Sequence, residues 1–224
     1  MAPIPRFEVI KSLQDQTLTI RGLHSAFANW PSKVNPHLDQ LRQDVAYMLT
    51  SRFPHHPKLE RLLDSDYGLF GAAWYPCVEY EQLRVATYLS LWLFMWDDEL
   101  DSDVGSLAGD FDMAQEYRAE TLAFVRNRLG LDNSKILNVS SNEVINSFDF
   151  IGDALRESCS KEQRQTFLEE VQFFMETSEI EQRLRLGENL VMVDEYSRYR
   201  LGTGAVRVVL AISQCDLYET SLHS

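Results

Sequence analysis

Residues 83–96 read Leu-Arg-Val-Ala-Thr-Tyr-Leu-Ser-Leu-Trp-Leu-Phe-Met-Trp, and the chain then turns acidic at Asp97, Asp98, Glu99 and Asp101. No Gly or Pro interrupts the run. At about 100° per residue, apolar side chains fall on nearly every face of a helix. Such a helix is stable in water only when other elements surround it. This requirement constrains the fold more than any other feature, because the rest of the chain has to wrap this one segment. Hydrophobic residues make up 45% of the 224, enough to supply a core within one domain spanning 1–224.

The wrapping elements read as helices. Residues 36–49 follow Asn35, an N-cap residue, with Pro36 at the first helical position. Leu38, Leu41, Val45, Met48 and Leu49 then recur on one face. Further helices are predicted over 57–63, 80–101, 112–129, 141–158 and 161–187. A last one runs from about 193 into 208–212. Strand signals are scarce: no hairpin dipeptide separates alternating apolar runs, and there is no internal repeat. The predicted class is all-α, a helical bundle.

Net charge is −13, which argues against nucleic acid or an anionic membrane as a partner. It leaves room for a small anion held through metal ions. Cys77, Cys159 and Cys215 are scattered and odd in number, a set that suits a reducing compartment. The first residues read as neither a signal nor a transit peptide, and no apolar run approaches a membrane span. A cytoplasmic location is expected, so the sequon at Asn138 carries little meaning.

The acidic helix end needs a reason. On a helix, Ser90, Leu93, Phe94 and Asp101 share the face of Asp97, with Asp98 to one side. Carboxylates at a buried helix end are costly, and close like charges raise the cost. They also oppose the helix dipole. Divalent cations such as Mg²⁺ remove both penalties and prefer carboxylate oxygens, waters and phosphates as ligands. The spacing therefore points to Asp97 and Asp101 as metal ligands at the rim of an apolar hollow, with Phe94 and Leu93 one turn deeper. The simpler alternative is a helix end that surfaces into solvent.

Three stretches carry a family resemblance. Trp30-Pro-Ser-Lys-Val-Asn-Pro-His37 is similar to the N-terminal entry of the class I terpene synthases, specifically the fungal sesquiterpene cyclases. Tyr75-Pro76, then Glu81-Gln-Leu-Arg84 and Trp92-Leu-Phe-Met-Trp-Asp-Asp-Glu-Leu-Asp101, resembles the helix with their aspartate-rich motif. Glu195-Tyr-Ser-Arg-Tyr-Arg-Leu-Gly-Thr-Gly-Ala205 resembles the segment with their pyrophosphate sensor. The resemblance implies a helical bundle around a central apolar pocket. It implies a prenyl diphosphate substrate, farnesyl diphosphate first, and Mg²⁺, with Mn²⁺ as a substitute. In its terms Asp97 is the principal metal ligand, Asp98 sits at a position that often pairs with an arginine, and Asp101 closes the motif. Arg200 is the diphosphate sensor, with Thr203 and Gly204 at the linker and effector positions. Phe94, Phe70, Trp74 and Trp96 become cavity walls that stabilise a carbocation through their ring faces. Each has a plainer reading: Arg200 as a surface arginine, Gly202 and Gly204 as a helix break, any one aromatic as core.

The sequence departs from the family in one respect. No N-D-x-x-S-x-x-x-E motif is found: Asn142-Glu143 has Asn146 where the serine belongs. Asp149, Asp153 and Glu157 have helical spacing but lie opposite the apolar stripe Phe148, Ile151 and Leu155, and read as a solvated face. After Val206-Arg-Val-Val-Leu-Ala-Ile212 the apolar character is lost, so the expectation is a bundle shortened at its C-terminus. Three readings follow: a terpene cyclase, a prenyl diphosphate synthase, or a non-catalytic helical protein that binds diphosphate weakly or pairs with a partner. A homodimer is among the assemblies this allows.

Overall fold

The computed structural model describes residues 5–29, 32–101, 105–132, 139–187 and 191–214. Trp30, Pro31, Asp103, Asn138, Cys215 and the rest of the tail to Ser224 lie outside the described residues. So do the readings that rest on them: the opening of the N-terminal entry motif, the start of the 103–109 loop, the sequon and the tail beyond Gln214. The elements are α1 (Arg6–Leu13), α2 (Leu23–Phe27), α3 (Leu38–Arg52), α4 (Leu59–Asp64), α5 (Tyr67–Trp74), α6 (Tyr80–Asp101), α7 (Phe111–Arg128), α8 (Glu143–Asn146), α9 (Asp149–Ser158), α10 (Lys161–Leu186), α11 (Val193–Thr203) and α12 (Val206–Ile212). The fold is all-α, as the sequence predicts.

The apolar run becomes α6, and α6 is the centre. It packs against α3, α5, α8, α9 and α12. Both of its tryptophans are buried and both indoles donate: Trp92 Nε1 to the Val144 carbonyl and Trp96 Nε1 to Thr121 Oγ1, each at 3.0 Å. A buried indole N–H without an acceptor would be destabilising, so these bonds fix which way the rings lie. Trp92 packs on Phe148, and Trp96 packs on Tyr117 and Phe174.

Helix starts are set by local chemistry. Ser160 and Gln163 form a reciprocal capping box on α10. Asp110 caps α7 through the Met113 amide, and Asn142 caps α8 through two amides. Asn35 is used differently from the N-cap expected of it. It is buried, and its Nδ2 donates to the Tyr75 and Val78 carbonyls at 2.9 and 2.8 Å. Those carbonyls lie in the chain break before α6, so Asn35 ties that break to the start of α3, and the helix begins later, at Leu38.

Two expected helices are each divided. The 141–158 stretch breaks around Ser147 and Phe148 into α8 and α9. The 193–212 stretch breaks at Gly204 and Ala205, where Ala205 adopts a left-handed φ of 53°. The stripe Phe148, Ile151 and Leu155 is buried as expected. Opposite it, Asp149 pairs with Arg52 at 2.8 Å, while Asp153 and Glu157 are exposed. Cys77 is exposed and free, but Cys159 is disulfide-bonded. This counts against reading the cysteines as a set suited to a reducing compartment. Among the described residues no helix is long and apolar enough to cross a membrane.

Candidate active site

The cavity-facing side of α6 presents Ser90, Leu93, Phe94 and Asp97, the set that helical spacing placed on one face. With Phe70 and Trp74 from α5, Phe174 from α10, and Arg200, Thr203, Gly204, Val206 and Val209 from around the α11–α12 break, they line a cavity of about 150 Å³. The aromatic wall is continuous. Phe94 meets Tyr67 at 5.6 Å and Phe70 edge-on at 5.4 Å, and Phe70 meets Trp74 at 5.7 Å. Phe94 is 45% and Trp74 49% exposed, so these rings face open space rather than the core.

The break at Gly204–Ala205 positions Arg200. Gly202 permits it: a Cβ there would lie 2.2 Å from Thr177 Oγ1, so only glycine lets α11 approach α10 this closely. Arg200 Nη1 donates to Thr203 Oγ1 at 3.2 Å, which aligns the guanidinium along the cavity edge.

Burial pushes the Asp97 carboxyl up to about 7. Nearby Asp101 and Glu181 add to the rise, Arg200 opposes it, and Asp98 contributes least. The Asp97 anion is thus costly where it stands, and Arg200 alone does not offset the cost. A site of this kind favours an added cation.

The other two acids of the motif point elsewhere. Asp98 pairs with Lys58 at 3.2 Å, a lysine where the resemblance led us to expect an arginine. Asp101 is held by Arg185 from α10, which also donates to the Asp101 and Ala108 carbonyls at 3.3 Å each and to the Leu100 carbonyl. Neither acid lines the cavity. Trp96, expected on the cavity wall, is fully buried on the far flank of α6 with its indole bonded to Thr121, and is corrected to a core residue. One position separates it from Asp97, but a 100° rotation per residue carries it to a different neighbour.

Among the described residues no group of three or more His, Cys, Asp or Glu side chains is placed to hold a metal. A closed protein cage is not what Mg²⁺ needs, since it commonly takes one or two carboxylates plus waters and substrate phosphates. Asp97, one helical turn from Asp101 and beside Arg200, fits that pattern of hard oxygen donors near a cationic anchor.

A larger cavity of about 320 Å³ lies on the opposite flank of α6, lined in part by Arg52, Arg84, Tyr88 and Phe150. Its guanidiniums already have carboxylate partners: Arg52 with Asp149, and Arg84 with Glu81 and Asp44. Chemistry rather than volume singles out the smaller cavity.

Sequence reasoning did not find Lys58, Arg185, Glu181 or Phe174. Lys58 and Arg185 lie 40 and 84 residues from their aspartates, with no local signal. Phe174 and Val209 could have been suspected from the apolar faces of α10 and α12.

Comparison with known proteins agrees with this geometry. Residues 88–220 match the family described as terpene synthase family 2, C-terminal metal binding. Sesquiterpene cyclase hepA of Aspergillus oryzae is 30% identical over 216 residues, covering 94% of this chain and 58% of that protein. Terpene cyclase braA of Annulohypoxylon truncatum is 24% identical over 208 residues, covering 92% and 55%. Among solved structures, an ancestral reconstruction called SVS_A2 superposes with a TM-score of 0.71 at 12% identity, over 81% of this chain and 53% of that one. A cucumene synthase variant gives 0.61 at 19% identity, over 84% and 59%. The chain thus spans between half and two thirds of the length of these relatives.

Proposed function

The chain belongs to terpene synthase family 2, and from that premise we propose that it ionises a prenyl diphosphate, farnesyl diphosphate first, and cyclises the resulting carbocation to a sesquiterpene. One observation carries this reading. Asp97 and Arg200 face the same apolar cavity, whose remaining wall is aromatic.

The chemistry divides among the residues. Cleaving the C–O bond puts charge on the departing diphosphate, so groups that bind it more tightly as charge develops lower the barrier. Arg200 offers a forked set of donors that matches phosphate oxygens, and Thr203 holds that fork in place. Gly204 leaves the backbone bare where a diphosphate would approach. Mg²⁺, held through Asp97 and through Asp101 once Arg185 releases it, would supply charge neutralisation on the leaving group, and Mn²⁺ would serve in its place. Phe94, Phe70 and Trp74 present ring faces to the cation. Leu93, Val206 and Val209 keep that volume apolar, which limits quenching by water. We place all of residues 1–224 in one unit. The cytoplasmic location stays part of this proposal, with the Cys159 disulfide as the feature it has to accommodate, and a homodimer is open to sizing by chromatography.

A second reading is a non-catalytic chain that binds diphosphate weakly. It is favoured by the engagement of Asp98 and Asp101 with basic side chains and by the open faces of Phe94 and Trp74. Incubation with farnesyl diphosphate and Mg²⁺, followed by gas chromatography of the extract, separates the two. Cyclisation predicts hydrocarbon product that falls at least about 100-fold in Asp97→Ala. A melting shift with Mg²⁺ and pyrophosphate but no product supports the second reading. Neither shift nor product overturns both.

A further inference from the structure

The acids at the end of α6 are unequally matched, and Arg185 is the reason. It sits beyond the C-terminus of the helix, where the carbonyl dipoles and the acidic side chains both concentrate negative charge. Its guanidinium reaches the Leu100, Asp101 and Ala108 carbonyls as well as the Asp101 carboxylate. The loop that receives it is held from the same helix: Gln182 Nε2 donates to the Leu107 carbonyl at 2.9 Å, and Gln182 Oε1 accepts from buried Arg118 at 2.8 Å. Arg185 is therefore anchored through backbone acceptors, independently of Asp101. The carboxylate can turn away without dismantling the cap on α6. The ion pair itself is partly open, with side-chain exposures of 26% and 37%, and pairs of that kind are weak.

We propose that Arg185 is a positioning residue that serves as a built-in counter-cation for Asp101, holding it out of the cavity until a divalent cation competes for it. The inference rests on the reading of Asp97 and Asp101 as metal-facing acids and deepens it. Helical spacing puts Asp101 one turn from Asp97 on the same face, so release from Arg185 is the change that gives the cavity a second carboxylate. Asp98, by contrast, stays with Lys58. The protein thus carries its acidic helix end without metal in the resting state, and metal binding is coupled to one side-chain exchange.

The test measures Mn²⁺ binding to the intact chain by electron paramagnetic resonance, with melting curves to monitor the fold. Arg185→Gln keeps a donor for the backbone carbonyls and removes the charge; Arg185→Met removes both. Either variant that remains folded should bind Mn²⁺ about threefold to tenfold more tightly than the unaltered chain. Arg185→Lys should stay within about twofold of it. The gain should vanish when Asp101→Asn is added, which a purely structural role for Arg185 would not produce. Equal affinity with and without Arg185, or an equal gain in the Asp101→Asn background, overturns the inference. Asp97→Asn reports separately on the underlying reading: if it leaves Mn²⁺ and pyrophosphate binding unchanged, that reading fails whatever Arg185 does. Absence of Mn²⁺ binding in every variant overturns both.

Discussion

The two flanks of α6 are built to different standards. On the flank toward α7 and α8, Trp92 and Trp96 are buried, their N–H groups have acceptors, and aromatic neighbours fill the space around them. On the flank toward α5 and α11, Phe94 is half open, Asp97 sits in a position that disfavours its charge, and Arg200 waits without a carboxylate at hydrogen-bonding distance among the described pairs. The first flank holds the fold together. The second leaves interactions incomplete that a ligand could complete. Stability and function are thus carried by side chains as little as one residue apart in the sequence.

That contrast can be broken most directly at its aromatic residues. Trp96→Ala should cost about 3–5 kcal/mol in urea unfolding, because it empties a fully packed site. Phe94→Ala should cost about 1 kcal/mol or less, since its ring is already half exposed, yet it should alter or abolish hydrocarbon product. Equal stability losses at the two positions would erase the distinction.

The charge on Asp97 sharpens the comparison. In the folded, metal-free chain its carboxyl holds a proton up to about pH 7, against 3.8 for the ordinary group. Between those values the folded state binds more protons than the unfolded one, so stability falls as pH rises across the window. Asp97→Asn should flatten that part of the melting-temperature profile, and Mg²⁺ added above pH 7 should restore part of the loss in the unaltered chain. A profile that is the same in both proteins would show that the cavity does not strain this carboxylate.

The smallest effect is expected at Asp149. Its pair with Arg52 is partly solvated, so Asp149→Asn should change stability by about 0–1 kcal/mol and leave Mn²⁺ binding unchanged. Weaker Mn²⁺ binding in this variant would mean that the far flank also holds metal.

How far the sequence could be read depended on whether the deciding interactions were local. The bounds of α6 were legible because a long apolar period without Gly or Pro admits little else. The short α5 was not legible. Its two glycines disfavour a helix, and it forms because Gly71 lets it lie against α6, where a Cβ would fall 2.0 Å from Thr87 Oγ1. The breaks at Ser147 and Ala205 were likewise hidden, because an apolar pattern continues through both. On the cavity, helical spacing placed Ser90, Leu93, Phe94 and Asp97 together, but it could not say that Trp96 would find Thr121.

By itself the sequence determined a helical bundle built around one apolar helix with an acidic end, since burial of that helix and the cost of its carboxylates follow from residue type and period alone. The tertiary structure decided which acid faces the cavity. Lys58 and Arg185 come from distant helices, and ion pairing depends on where side chains meet in space rather than on how they are spaced along the chain.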